Sequence, residues 1–477
     1  LTGDNNTSIG GQAGRSLTSG NNLVLIGKSA GQNITTMSDT VVIGKNAGDA
    51  LTTGVGRNVA IGSSAMSSMT TETQNVAIGN AAMHTATAAQ NVIAIGHRAA
   101  VSLSHGDSSG TIAIGALALE GANGSHSPNI AIGYRAINNA TTNVAGAVAI
   151  GYETLYSNTD NTGNIAIGYF AMRDGTGGSS RDYNIAIGTE AMRNANGHIS
   201  VAIGYTAGKF IKSGGSGVVH IGHAAGTYAS GSGNTFMGYQ SGHGGTTSAP
   251  YSTGTQNTAI GYQALTGFTT GTNNVAIGYS TSDALTTANH STAVGPAAAS
   301  NITTGGGFAA LGYKAGFAQV DHANWIAIGY EAMGGTPTTN QGRGIAIGYR
   351  AQFQATDGSS AVAIGDSALE NIVGQYSTAV GDSAGRYATG SFNTFVGNTA
   401  GAGSNSAPYA SGDRNVALGY GAYSSFTTGY RNVAIGDRAG SNITTGHSGV
   451  YIGYLAGYGG NQSGNVAIGS EALFTAN

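Results

Sequence analysis

Asn75-Val76-Ala77-Ile78-Gly79 is the stretch that decides the fold, because near-copies of it run the length of the chain. Asn164–Gly168, Asn274–Gly278, Asn432–Gly436 and Asn465–Gly469 are variants of the same phrase. Taking its glycine as a marker gives 27 copies between Gly10 and Gly469, most often 17 residues apart. A short fixed period means one small unit stacked many times, and this period is too short for a helix pair or a propeller blade. The expected fold is therefore all-β: a β-solenoid, or parallel β-roll, of about 27 coils with two short strands and two turns in each. Residues 1–477 read as one continuous repeat shaft, a piece of a longer polypeptide.

The marker glycine, as position 0, orders the rest of the coil. Position −1 is Ile, Val, Leu or Met throughout, position −3 is mostly Val or Ile, and position −2 is Ala in 20 copies. Side chains alternate along a strand, so −3 and −1 share one face and −2 lies on the other. Neither face is charged, so both are expected to be covered. The larger aliphatic residues are assigned to the coil interior. The alanine face, represented by Ala77, Ala186, Ala276, Ala363 and Ala434, is assigned to close packing between chains. Gly at position 0 fits a corner with positive φ or no room for a Cβ. Ala recurs at +3 in 24 coils, which suits an inward position on a second strand, whereas polar residues such as Arg98, Glu153 and Gln263 put +2 in water. Coils close through turns such as Phe268-Thr-Thr-Gly271, with the large residue tucked in. The Asn before the strand is suited to an amide ladder.

Composition excludes several functions. Only 8% of residues are charged, the net charge is −3 and basic runs are absent. Nucleic acid and anionic membrane surfaces therefore have no electrostatic attraction to this segment. No apolar stretch has the roughly 20 residues of a membrane helix, so no insertion is expected here. Cysteine is absent. No nucleophile elbow, phosphate loop or paired catalytic carboxylates occur, and no cofactor is implied. Enzymatic activity is not expected. The scattered histidines lack convergent ligand spacing, and Asp366 and Asp382 read as solvated carboxylates on adjacent coils.

Asn257-Thr-Ala-Ile-Gly-Tyr-Gln-Ala-Leu265 and Asn274-Val-Ala-Ile-Gly-Tyr279 resemble the head repeats of trimeric autotransporter adhesins. They are still more similar to longer-period repeats of phage tail fibres. The resemblance covers essentially the whole chain. It implies a homotrimer of left-handed parallel β-rolls, a rod on a virion or a cell surface, and attachment to a host glycan or protein receptor. The expected role is an extracellular structural fibre. The alternatives are a single-chain solenoid of an extracellular filament, and a flat solenoid that binds ice or polysaccharide.

Two intervals are longer than the rest, Gly238–Gly261 and Gly397–Gly419, and both contain Ser-Ala-Pro-Tyr. Matching surroundings nine coils apart suggest a duplicated block around 234–295 and 393–453. These intervals read first as tolerated loop insertions; alternatively, Pro250, Tyr251, Pro408, Tyr409 and His243 are candidate receptor contacts, since loop tips on a uniform scaffold can carry specificity. Tyr after the marker glycine, as in Tyr134, Tyr152 and Tyr169, reads chiefly as a packing ladder between coils.

Overall fold

A computed structural model describes residues 2–103, 109–121, 128–139, 144–157, 161–175, 181–212, 215–249, 251–317, 319, 323–335, 343–355, 360–406 and 408–474. The chain divides into two units, Leu1–Asn234 and Thr235–Asn477. Each is a stack of parallel coils, and no helix occurs among the described residues. The repeat strand is three residues long: 13 copies run from Thr7–Ile9 to Val219–Ile221 in the first unit, and 14 from Thr235–Met237 to Val466–Ile468 in the second. Within each unit successive strands pair in parallel and in register. Val59, Ala60 and Ile61 lie opposite Val76, Ala77 and Ile78, and Thr258, Ala259 and Ile260 opposite Val275, Ala276 and Ile277.

One such strand per coil recurs throughout, where two were expected. Past the marker glycine the chain instead takes a left-handed conformation at +2 and again at +4, as at Ala81 and Met83 or Gln263 and Leu265. That alternation folds the segment back over the strand while its amides still bond to neighbouring coils. Ala81 N donates to Ser63 O at 2.9 Å and Met83 N to Ala99 O at 3.0 Å. The inward position of +3 holds: Ala30, Ala136, Ala264 and Ala439 are fully buried.

The marker glycine is required for two reasons. Its φ lies near +130°, and a Cβ at Gly278 would stand 2.7 Å from the carbonyl oxygen of Gly295 in the next coil. Any side chain would wedge the coils apart.

The interior is the reverse of the sequence expectation. Ala77, Ala186, Ala276, Ala363 and Ala434 have no exposed surface in the single chain. The alanine row therefore points into the coil, covered by its own +3 and +4 residues, and offers nothing to a sister chain. The aliphatic −3 and −1 residues face outward, half-buried or exposed, with Leu311 at 48% and Val396 at 38%. Assigning the larger residues to the core misjudged how much space a 17-residue coil encloses.

Volume is balanced inside that narrow core. Each of the seven coils with a larger residue than Ala at −2 (Ser8, Leu25, Val42, His220, Phe236, Phe395, Tyr451) has Gly at +4 (Gly14, Gly31, Gly48, Gly226, Gly242, Gly401, Gly457). A Cβ at most of these glycines would collide with side chains of the −2 row: at Gly31 it would stand 2.9 Å from Leu25, and at Gly242 it would overlap the Phe236 ring, whereas at Gly48 the close neighbour is Leu51 at 2.8 Å. Several alanine coils fill the same space with Met66, Met83, Leu119, Leu265 or Leu369, all buried, whereas four others also carry Gly there (Gly208, Gly316, Gly385 and Gly440).

Buried asparagines at −4 lock the coils together. Asn75 Oδ1 accepts from Val92 N at 3.0 Å while its Nδ2 donates to Ala89 O at 2.8 Å. Asn274 repeats the pattern, accepting from Ser291 N and donating to Ala288 O. Each buried amide is thus satisfied in both directions.

Candidate functional site

The second long interval starts from a rigid base. Phe395 at −2 packs in the core against Phe426, ring centroids 5.8 Å apart. Tyr423 stacks on Phe426 at 4.9 Å, and its hydroxyl accepts from Asn432 Nδ2 at 2.6 Å. The first interval opens in the same way, with Phe236 edge-on to Phe268 at 5.5 Å. Both Phe residues of each pair are fully buried. The two loops therefore spring from matching aromatic pairs.

At the second loop Pro408 is exposed and Tyr409 is 38% exposed. Tyr409 also stacks on Tyr387 of the preceding coil at 5.6 Å, and Thr389 N donates to Ala410 O. The tip thus stands out while one face of its ring is held. At the first loop Tyr251 and His243 are half-buried, and His243 N donates to Gln240 O at 3.3 Å. Pro250 lies outside the described residues.

Beside the second loop runs an open groove of about 620 Å³. Tyr387, Thr399, Ser404, Asn405, Ser425 and Thr444 contribute to its walls, and none of the described residues lining it is charged.

Charge is concentrated elsewhere, in ladders across the coils. Arg135, Glu153, Arg173, Asp174, Arg193, Glu190 and Lys209 form one connected network in the first unit. Glu331, Arg350, Glu370 and Arg386 form another in the second. Glu153, expected in water, is only 4% exposed because two arginines close over it. Partly exposed pairs like these add little net stability each.

Tyrosines at +1 form stacked columns with their edges in solvent: Tyr134, Tyr152 and Tyr169 at 5.1 and 5.3 Å, and Tyr313, Tyr330 and Tyr349 at 5.0 and 5.4 Å. Burial against neighbouring coils raises the phenol pKa of Tyr152 and of Tyr330.

His220 and His223 share a coil without forming a ligand pair. His220 occupies the interior −2 row and is fully buried, whereas His223 stacks on Tyr205 at 5.0 Å. Desolvation pushes the His220 imidazole down to about 3. Among the described residues no group of three His, Cys, Asp or Glu converges as a metal site. Asp382 accepts from Ser383 and Asn398, and Asp366 from Ser367.

Sequence reasoning missed the groove and the outer aliphatic columns. The Gly at +4 opposite each large −2 residue carried the orientation of the strand, since those two positions must face each other to trade volume. Comparison with protein-family models and with curated proteins gives no match.

Proposed function

We propose that the chain is the shaft of an attachment fibre on a virion or cell surface, working as a homotrimer that presents many copies of each contact. The aliphatic columns at −3 and −1 carry this reading. They are in register from coil to coil, free of charge and partly bare on the single chain. Continuous apolar surface of this kind marks an interaction face. Another copy of the same chain is the natural partner, because only an identical repeat offers matching rows at matching spacing. Closed cyclic symmetry then covers every copy's columns without leaving one open to further growth. The interface so proposed is the Val and Ile face, in place of the buried alanines.

Light scattering on the purified full chain tests the proposal. A particle of three chains, each 47.1 kDa, is expected. A stable 47.1 kDa particle would overturn it, and an open-ended polymer would favour the filament.

A further inference from the structure

We infer that the groove beside the second Ser-Ala-Pro-Tyr loop is a binding site for a neutral oligosaccharide; the inference rests on the attachment reading and gives it a ligand class. About 620 Å³ is within the range of small-ligand sites. Hydroxyls of Thr399, Ser404, Ser425 and Thr444 and the carboxamide of Asn405 supply donors and acceptors together. That is the complement of a ligand built from hydroxyls.

The remaining chemistry narrows the class. Among the described residues no Lys or Arg lines the groove to pair with sulfate, phosphate or carboxylate, and no Asp or Glu lines it to take a cation. A charged ligand would lose hydration there without compensation. An apolar peptide or lipid chain would strip water from at least five polar side chains and return no hydrogen bond. Tyr387, whose ring packs against Tyr409 and under Arg386, adds an apolar aromatic edge to the wall.

The walls are also preorganised. Thr427 Oγ1 donates to Thr444 O at 3.1 Å, and Asn461 Nδ2 donates to Thr444 Oγ1 at 2.6 Å. Below them, Tyr423 and Phe426 are fully buried. Sugars bind through many weak polar contacts, so walls already in place matter more than area. Repetition across copies of the chain would multiply the contact.

Ser425 is exposed at the rim, so Ser425→Trp fills the groove without entering the core. The full-length protein and this variant would be applied to a printed array of neutral hexose and N-acetylhexosamine oligomers together with sialylated and sulfated ones. Expected is binding to one or more neutral oligomers, weakened at least about tenfold by Ser425→Trp, with thermal midpoint and particle mass unchanged. Tyr387→Phe, which keeps the ring, should bind nearly as the parent does. Binding confined to acidic glycans, no binding on the array, or binding equal in parent and Ser425→Trp would each overturn the inference. Particle mass is measured on the same samples, so a failed groove in a three-chain particle is distinguishable from failure of the fibre reading.

Discussion

The two faces of one three-residue strand lead opposite lives. Val275 and Ile277 are half-buried on the outside, while Ala276 between them is sealed inside. Outside, a position can vary between Thr, Ala, Val and Ile, as Thr258, Ala309, Val275 and Ile326 do at −3. Inside, each departure from Ala is matched by a glycine four residues past the marker. Chemical character is alike on the two faces; free volume separates them. Size, more than hydrophobicity, therefore decides which way the strand faces in so thin a coil.

The harshest test of the contrast is Ala276→Arg. A guanidinium forced into that interior meets neither space nor a partner, at a cost of several kcal/mol. Circular dichroism melts should show the second unit unfolding many degrees early at any protein concentration. A variant that folds normally and loses only its oligomeric state would return the alanine row to the interface.

His220 probes the same interior through pH. Its folded pKa is about 3 against an ordinary 6.5, so the unfolded state binds the extra proton between those values. Stability of the first unit should be flat above pH 6.5 and fall on acidification toward 3. The loss should approach about 1.4 kcal/mol per pH unit well inside that window. His220→Phe, beside Gly226 as Phe236 is beside Gly242, should remove this slope. An unchanged slope would place the acid sensitivity in other groups.

The mildest effect on coil stability belongs to the outer face. Ile277→Asp leaves the interior intact and should change the stability of an isolated coil stack by less than about 1 kcal/mol. It should nevertheless lower the particle mass, since a carboxylate then faces the apolar row of a neighbour. A particle still three chains in size would show that the aliphatic columns are not the seam.

Legibility in the sequence followed the same division. Positions set by backbone geometry could be read directly: the marker glycine from its invariance, the strand from its alternation, the asparagine ladder from its place before the strand, and the tucked Phe268 and Ile443 from their turns. Orientation could not be read from hydropathy, because Ala, Val and Ile all register as apolar. It was written instead as a trade of volume between residues such as Phe395 and Gly401, visible only when coils are compared at two positions at once. The second strand was misjudged because small inward residues suit a left-handed turn as well as a strand; Met83 and Leu265 adopt positive φ without being glycine. The groove depends on walls from coils far apart in sequence, such as Tyr387 and Thr444, and no local motif announces it.

The stacking of marker glycines makes length a quantised property of this molecule. Within a unit they dock one on the next through the same carbonyl, as Gly261 does on Gly278 and Gly278 on Gly295, so deleting residues 262–278 would bring Gly261 against Gly295 with every row still aligned. Deleting one residue fewer would leave an 18-residue coil, the interval that already separates Gly44 from Gly62 with their strands in register, so the surplus residue would be taken up in the turn. Recombination between repeats can therefore lengthen or shorten such a chain coil by coil, small differences in coil length being absorbed in the turns without disturbing the register around them.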